Sequence, residues 1–375
     1  MVRSTGKSDQ GIAIVGSGLM GRILAVQLLE AGRKVTLFDR DGELGSKSCG
    51  WTGAGMLAPY SELDAADDLV FKLGTASTLL WPKLVETLPQ KLFLQMAGSL
   101  IVAHSQDRPD LIRLQRKIEH RVTRLDRSET FDVLDADGIK ALEPELGDRF
   151  SIGLYLAEEG QVDNRQLYEV LAVGLKKLGA HWRSNTEALQ VQPFSVMTGD
   201  GSFKFDQVVD CRGLGAKKDL SKLRGVRGEI IRVHAPEVVL NRPIRLMHPR
   251  YPLYIAPREG HRFVIGATLI ESEDETPMTV QSALELLSAA FSVHSGFANA
   301  SILEMGAACR PALADNVPRI FVQEGLMRIN GLYRHGFLVA PKVAQLARSL
   351  LDGNSIAPEF EELLIEERSK IATGH

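Results

Sequence analysis

The sequence predicts an α/β fold with two domains, and three observations support this prediction. Its 375 residues are more than one ordinary hydrophobic core covers. Residues 11–41 read as a strand, a glycine-rich turn, a helix and a second strand. Further along, "RGEIIRVHAP", "PLYIAPREG" and "HRFVIGATLI" alternate as strands with turns between them, so the middle of the chain is rich in β-structure.

Composition and charge exclude one class of partner. Hydrophobic residues make up 44% of the chain and charged residues 24%, as in an ordinary globular protein. The net charge is −3, and acids interrupt the most basic stretch, residues 116–127, which is typical of a solvated helix face. Nucleic acid is therefore not expected as a partner.

Cysteine usage and hydropathy indicate the compartment. Cys49, Cys211 and Cys309 are odd in number, far apart and without metal-ligand spacing, so we expect neither a disulfide framework nor a metal site. No window approaches the roughly 18 apolar residues of a membrane span. Residues 1–10 lack the apolar core of a signal peptide. We therefore expect a cytoplasmic protein without an integral membrane segment.

The first strand–turn–helix unit predicts a dinucleotide site. Gly16, Gly18 and Gly21 form G-x-G-x-x-G between a buried strand and a helix, a context that makes this pattern specific. Gly16 suits the tight turn, Gly18 lets a pyrophosphate approach the backbone, and Gly21 lets helix and strand pack closely. Asp39 ends the second strand, where a carboxylate accepts from ribose hydroxyls and repels a 2′-phosphate, which argues against NADP. The alternative is that the glycines serve turn geometry alone.

A second glycine-rich stretch, residues 45–60, bears on which dinucleotide binds. Read alone, the N-terminal unit equally suits an NAD-dependent dehydrogenase. The small residues of the second stretch would let backbone approach a flat ligand, and Ser48 and Thr52 could bond its oxygens. Trp51 and Met56 are unusually apolar for the alternative, a free surface loop. FAD, which is longer than NAD and carries a planar ring, would explain the second segment.

Three later segments complete the pattern along the chain. Residues 205–216 read as a strand and a glycine turn, which fits either a third cofactor contact or a plain tight turn. Residues 163–182 predict a helix, with Asp163 or Asn164 as N-cap and Gly179 as its stop. The C-terminal "EFEELLIEERSKIATGH" predicts a closing helix.

Taken together, these motifs resemble a known family. "GSGLMG", "SCGWTGAGM", "VVDCRGLGA", "YIAPREGHRFVIGAT", "CRPALAD" and "GLYRHGFLVAP" are similar to the glycine oxidase branch of the D-amino acid oxidase family, over nearly the whole chain. The resemblance implies a Rossmann-type FAD-binding domain assembled from discontinuous segments, and a second α+β domain whose mixed sheet covers the flavin. The expected segments are 11–85, 148–220 and 306–370 for the FAD-binding domain, and 86–147 and 221–305 for the substrate-binding domain.

The resemblance also implies a substrate site of three residues. Arg310, Tyr254 and Arg334 match the positions that grip the substrate carboxylate, and a planar guanidinium offers the bidentate fork that this needs. The alternative for Arg310 is a structural ion pair with Asp315 or Glu304. For Tyr254 it is a core tyrosine of a strand, and for Arg334 a surface or helix-entry contact. No side chain is expected as an acid or base, because flavin N5 accepts hydride from a neutral amine.

The implied cofactor residues are spread over the motifs. They are Gly16, Gly18, Leu19, Met20, Gly21, Asp39, Arg40, Ser48, Thr52, Gly53, Ala54, Gly55, Met56, Ala188, Cys211, Gly213, Gly331, Leu332, Tyr333, His335, Gly336, Phe337 and Leu338. The FAD is expected to be noncovalent, because Cys309 lacks the C-x-Y-T-type context of the related sarcosine oxidases.

The expected function is oxidative deamination of glycine or another small amino acid. The amine becomes an imine, and O2 is reduced to H2O2; the imine would serve thiamine thiazole synthesis through a thiazole synthase. A homo-oligomer is also expected. Leu332 and Pro252 stand where some members carry histidine, which leaves the exact substrate open. The alternatives are a dehydrogenase that passes electrons to a quinone, an NAD-dependent dehydrogenase, and a flavin-binding assembly or modification factor for a partner protein.

Overall fold

The computed structural model describes residues 10–64, 66–124, 131–248, 250 and 253–367. Pro252 and the last residues of the expected FAD-binding segment, 368–370, lie outside the described residues, as does part of the basic stretch 116–127.

Nine helices lie within the described residues. They are α1 (Leu19–Glu30), α2 (Cys49–Thr52), α3 (Asp68–Thr78), α4 (Trp81–Thr87), α5 (Arg108–Arg124), α6 (Ala136–Leu142), α7 (Asn164–Lys177), α8 (Val280–Val293) and α9 (Gly336–Leu351).

The same residues contain 21 strands. They are β1 (Ile12–Val15), β2 (Val35–Phe38), β3 (Met56–Leu57), β4 (Leu94–Gln95), β5 (Ser99–Val102), β6 (Phe131–Asp135), β7 (Ile152–Leu156), β8 (Gly160–Val162), β9 (His181–Arg183), β10 (Ala188–Gln192), β11 (Ser195–Thr198), β12 (Gly201–Lys204), β13 (Gln207–Asp210), β14 (Arg224–His234), β15 (Ile244–Leu246), β16 (Leu253–Arg258), β17 (Arg262–Gly266), β18 (Ser301–Ala312), β19 (Arg319–Gln323), β20 (Leu326–Asn330) and β21 (Leu364–Glu366).

A seven-stranded sheet gathers strands from distant parts of the chain. Its order is β21-β19-β20-β13-β1-β2-β9. Strand β1 pairs in parallel with β2 and with β13, which follows it by nearly 200 residues, and β13 pairs in parallel with β20. The predicted βαβ unit is therefore confirmed, and the sheet around it is completed by distant segments.

An eight-stranded sheet is mixed, as expected. Its order is β18-β14-β17-β16-β15-β5-β7-β6, and β15 and β5 run parallel while the other neighbours are antiparallel. The three β-segments predicted in the middle of the chain form β14, β16 and β17. Strands β7 and β18, at residues 152–156 and 301–312, also belong to this sheet.

Helices cover both sheets with apolar faces. On the seven-stranded sheet, α1, α3, α7 and α9 bury one continuous apolar cluster that includes Ile23, Leu73, Leu171 and Val343. On the eight-stranded sheet, alternation along β5 sends Leu100 and Val102 toward α8, and Ile101 toward α5. Each sheet is thus packed by its own helices.

Local signals set several helix ends, and one of our predictions was wrong. Asp163 caps α7, because its carboxylate accepts from the amides of Arg165 at 2.9 Å and Gln166 at 3.1 Å. Gly179 follows the helix with a φ of +85°. Over its described residues, 359–367, the predicted C-terminal helix is instead a 3-10 turn (Pro358–Leu363) followed by β21, which pairs with β19 and so extends the sheet. The remainder of that prediction, residues 368–375, lies outside the described residues. The apolar "LLI" run completes the sheet edge rather than a helix face.

Within the described part of the chain, no helix is long and apolar enough to cross a membrane. The same residues contain no group of His, Cys, Asp and Glu that could hold a metal ion.

Candidate functional site

A cleft among the described residues lies where the two sheets meet. Its volume is about 320 Å³, within the range of small-molecule sites. The turn after β1, residues 45–56, residues 211–215 and the turn before α9 line the side of the seven-stranded sheet. Strands β14, β16, β17 and β18 provide the opposite wall. The cleft is therefore built from segments that are far apart in sequence.

The three glycines of the first turn have the spacing that a close-approaching ligand needs. Gly16 has a φ of +96°, and a Cβ there would lie 2.6 Å from the Cys211 carbonyl oxygen. A Cβ on Gly21 would lie 2.0 Å from the Gly16 carbonyl oxygen. A Cβ on Gly18 would meet only the Ser48 hydroxyl, at 3.4 Å. Gly16 and Gly21 are therefore required by packing, while Gly18 leaves room on the cleft side of α1 for a phosphate.

Asp39 and Arg22 hold this turn in place. The Asp39 carboxylate accepts from the Ser17 hydroxyl and the Asp41 amide, both at 2.8 Å, and lines the cleft at the end of β2. Arg22, fully buried, donates to the carbonyl oxygens of Ser17 at 2.7 Å, Tyr168 at 3.0 Å and Glu43 at 2.6 Å. Burial lowers the pKa of Arg22 from its usual value, because it disfavours the charged form. These contacts join the first turn to α7 and to the segment before α2.

The second glycine-rich stretch is an ordered wall of the cleft rather than a free loop. Ser48 caps the short α2, and its hydroxyl lies 2.7 Å from the Tyr168 hydroxyl. The residues that follow α2 line the cleft as far as Met56, which is in β3. Gly55 has a φ of +66°, and a Cβ there would lie 2.0 Å from the Val162 carbonyl oxygen. This segment fits the edge of a planar ligand against the backbone.

Arg310 faces the cleft without a carboxylate partner. Its guanidinium donates to the carbonyl oxygens of Arg227 and Thr268, each at 3.3 Å. No carboxylate of the described residues lies within ion-pair distance of it. The two acids considered as structural partners pair elsewhere: Glu304 with Arg165 at 2.6 Å, and Asp315 with Arg319 at 2.7 Å. Burial lowers the pKa of Arg310, so an anion in the cleft would relieve an unpaired charge.

Tyr254 and Arg334 meet at an acid that our sequence analysis missed. The Tyr254 hydroxyl donates to the Glu62 carboxylate at 2.9 Å, and Arg334 forms an ion pair with the same group. Burial opposes ionisation of Glu62, but the Arg334 charge outweighs it, and the pKa of Glu62 falls to about 2. Burial, and then Glu62, raise the pKa of Tyr254 well above its usual value. At neutral pH the pair is therefore a carboxylate and a phenol.

His335 is the third neighbour of Glu62. Its Nδ1 lies 3.6 Å from the Glu62 carboxylate. Burial lowers the pKa of His335 to about 4, so its ring is neutral at pH 7.

The cleft brings together most of the residues named from the sequence. Those that line it are Tyr254, Arg310, Arg334, Gly16, Gly18, Leu19, Met20, Asp39, Arg40, Ser48, Thr52, Gly53, Ala54, Gly55, Met56, Cys211, Gly213, Leu332, Tyr333, Gly336 and Phe337.

Five of the named residues lie outside the lining. Gly21 packs behind the first turn, and Leu338 packs against Gly74. His335 is buried beside Glu62. Ala188 lies in β10. Gly331 has a φ of +77° and packs against Leu313.

The sequence signals for the missed residues are weak. Glu62 lies in a 3-10 turn (Ser61–Asp64) just beyond the glycine-rich stretch, where an acid reads as an ordinary surface residue. Its role depends on contacts with residues 192 and 272 positions away. For the buried Arg22, the sequence offered one signal of its burial: it is a charged residue on the apolar face of α1.

Cys309 lines the cleft, but its thiol is engaged by backbone carbonyl groups. Its thiol donates weakly to the carbonyl oxygens of Ser272 at 3.8 Å and Asp274 at 3.6 Å. Burial raises the pKa of this thiol, which disfavours the nucleophilic thiolate.

Comparisons with known proteins agree with this site. The family model described as FAD dependent oxidoreductase, DAO, matches residues 11–350. An oxidoreductase of Rhizobium etli that is assigned to thiamine biosynthesis and named ThiO is 40% identical over 341 residues, which cover 91% of this chain and 96% of that protein. The crystal structure of glycine oxidase from Geobacillus kaustophilus superposes with a TM-score of 0.82 at 25% identity, over 93% of this chain and 97% of that one.

A third relative carries a second activity in the same polypeptide. The bifunctional protein ThiO/ThiG of Trichormus variabilis is 28% identical over 354 residues, which cover 89% of this chain and 51% of that protein. Since the family model spans the glycine turn, the second glycine-rich stretch and the arginine-bearing strand β18 alike, the chain belongs to the DAO family of FAD-dependent oxidoreductases.

Proposed function

We propose that this FAD-dependent oxidoreductase oxidises a small monocarboxylic amino acid, with glycine as the first candidate. The observation that carries this proposal is the Arg310 guanidinium, which faces the cleft and has no carboxylate partner among the described residues. A fork of this kind suits a bidentate contact with an α-carboxylate. The relatives named glycine oxidase and ThiO support the same substrate class.

The charges around the cleft favour one substrate carboxylate. Four groups lie around the proposed substrate position: Arg310 and Arg334 are cationic, Glu62 is anionic and His335 is neutral at pH 7, so these four groups sum to +1. Because Glu62 already engages Tyr254 and Arg334, the substrate carboxylate goes first to Arg310, with Tyr254 and Arg334 beside it. A second substrate carboxylate would meet Glu62 and be repelled.

Bound FAD supplies the two-electron acceptor for this reaction. The side chains of the cleft bind and orient the amino acid and are poorly suited to move its protons. Glu62, with a pKa of about 2, is a weak base, Tyr254 keeps its proton, and His335 is buried against Glu62. The proposed substrate is therefore the neutral amine, as our sequence analysis expected.

The residues that would hold FAD can be assigned by comparing the parts of the cofactor with the space and the groups that the cleft offers. Gly18 and the start of α1 leave space for the pyrophosphate, Asp39 faces the ribose, and residues 52–56 meet the ring. We propose a noncovalent flavin, which the buried, protonated Cys309 thiol supports.

The test is flavin reduction and peroxide release with glycine, sarcosine, D-alanine and D-proline. We expect Arg310→Ala to lower kcat/KM for glycine by about 100-fold, because a bidentate charged contact is lost. Arg319→Ala is the matched control, since that arginine is nine residues away and paired with Asp315. Wild-type activity in Arg310→Ala would refute the carboxylate role. Flavin that bleaches with an amino acid but yields no peroxide in air would indicate a dehydrogenase.

We further propose that the imine product is passed to a thiazole synthase for thiamine synthesis. The relative that joins ThiO and ThiG in one polypeptide supports this link. A coupled assay with the separate thiazole synthase should form thiazole from glycine more efficiently than from glyoxylate and ammonia. Equal yields from both sources would argue against transfer of the imine.

Three broader expectations remain proposals. We propose that the two sheets mark two domains, with β7 and β18 counted in the substrate-binding domain because they pair in the eight-stranded sheet. We propose a cytoplasmic location, which the free Cys49, Cys211 and Cys309 thiols support. We propose a homo-oligomer, and sedimentation analysis of the holoenzyme would test it.

A further inference from the structure

Two arginine side chains, the buried Arg258 and the half-buried Arg232, hold the cleft segment after α2 from behind. Arg258, at the end of β16, donates to the Ala54 carbonyl oxygen and, at 3.2 Å, to the Val162 carbonyl oxygen. Arg232, in β14, donates to the Gly53 carbonyl oxygen at 3.3 Å. Each of these arginines comes from the eight-stranded sheet, roughly 200 residues away in sequence.

A second contact steadies Arg232. Its guanidinium also donates to the Asn164 side-chain oxygen at 3.0 Å. The Asn164 amide in turn donates to the carbonyl oxygens of Gly50 at 2.9 Å and Trp51 at 2.7 Å. The carbonyl groups of the segment are therefore held on the side away from the cleft.

The peptide geometry fixes what the cleft side presents. In a planar trans peptide, the C=O and the following N–H point in opposite directions. Holding the Gly53 carbonyl oxygen therefore aims the Ala54 N–H at the cleft, and holding the Ala54 carbonyl oxygen does the same for the Gly55 N–H. Gly53, Ala54 and Gly55 all line the cleft, and the amides of Ala54 and Gly55 donate to no acceptor among the described residues.

We propose that Arg232 and Arg258 are positioning residues that turn two adjacent amide donors, those of Ala54 and Gly55, toward the flavin ring. Two donors on the ring stabilise its electron-rich reduced form more than its oxidised form, and so raise the reduction potential. Neither arginine is part of the substrate site described above. The inference rests on flavin binding in this cleft and not on which amino acid is oxidised.

The test measures the two-electron midpoint potential and the sulfite affinity of the bound flavin, without any amino acid. Arg258→Met and Arg232→Met should each weaken stabilisation of the reduced flavin by about tenfold, which lowers the potential by about 30 mV. The dissociation constant for the sulfite adduct should rise by about tenfold. Arg242→Met is the matched control, because Arg242 also holds a carbonyl oxygen, that of Ala97 at 3.0 Å, but Ala97, unlike Gly53 and Ala54, is not part of the cleft lining.

Two substitutions separate the orientation of the peptides from the charge. Arg258→Gln can still donate to the Ala54 carbonyl oxygen without a charge, and Arg258→Lys keeps both the charge and a donor. Partial recovery of the potential in Arg258→Gln supports the proposal. A potential that falls equally in Arg258→Gln and Arg258→Met but is retained in Arg258→Lys overturns it in favour of a charge effect. Potentials of Arg258→Met and Arg232→Met equal to that of Arg242→Met also overturn it.

Two further outcomes have a clear meaning. If Arg258→Met fails to fold, Arg232→Met and Arg258→Gln carry the test. A wild type that binds flavin but oxidises none of the amino acids counts against the proposed function alone, since both readouts use the flavin without substrate.

Discussion

Glu62→Gln gives the most direct check on the buried charges of the cleft. The Glu62 carboxylate accepts from the Tyr254 hydroxyl at 2.9 Å and pairs with Arg334, and its pKa is about 2 rather than the usual 4.5. A carboxyl group whose pKa is lowered by folding stabilises the protein at pH values above its pKa in the unfolded chain. This contribution is lost as the pH falls toward its pKa in the folded protein. The difference between 4.5 and about 2 corresponds to about 3 kcal/mol at pH 7.

The assay is urea unfolding of both proteins, saturated with FAD, between pH 7 and pH 3. Wild type should be more stable than Glu62→Gln by an amount that shrinks by about 2 kcal/mol on going from pH 7 to pH 3, because the unfolded carboxyl becomes protonated over that range. Glu86→Gln, at an exposed position of α4, is the control and should show no such change. A stability difference between wild type and Glu62→Gln that stays constant with pH would refute the reasoning.

Two other predictions follow from the same structure. Gly21→Ala should lower the free energy of unfolding by about 2 kcal/mol or more, since its Cβ would lie 2.0 Å from the Gly16 carbonyl oxygen. Gly18→Ala, whose Cβ meets only the Ser48 hydroxyl, should keep its stability without FAD and lose FAD affinity at least about tenfold. Thermal unfolding measures the stability and a fluorescence titration the FAD affinity, and equal behaviour of the two variants would contradict this prediction. Burial raises the pKa of Glu159 to about 7, so its protonated form stabilises the folded protein at low pH. As the pH rises from about 4.5 to 7, ionisation of Glu159 should lower the free energy of unfolding of wild type by about 3 kcal/mol, and Glu159→Gln should lack this loss. Urea unfolding at pH 5 and pH 8 measures the loss, and parallel pH profiles of the two proteins would argue against the prediction.

The site could be predicted from sequence where its constraints are local. The spacing of Gly16, Gly18 and Gly21 reflects one turn and one helix start, and the structure shows Gly16 in the tight turn and Gly21 in the close packing that this spacing suggested. Asp163 as the cap of α7 is a contact between neighbours in sequence. The C-terminal tail was predicted wrongly, because the partner of β21 is β19, and a pairing between separate strands leaves no signal in either one alone.

What the sequence by itself determined is therefore the dinucleotide turn, the order of helices and strands around it, and, through motif resemblance, the arginine that faces the cleft. What only the tertiary structure decided is which groups meet. Glu62 reaches Arg334 across 272 residues, and Arg258 reaches the Ala54 carbonyl oxygen across 204. The physical reason is that the glycine turn depends on backbone angles set by adjacent residues, whereas a buried charge is placed by the partners that compensate its desolvation, and those come from distant strands.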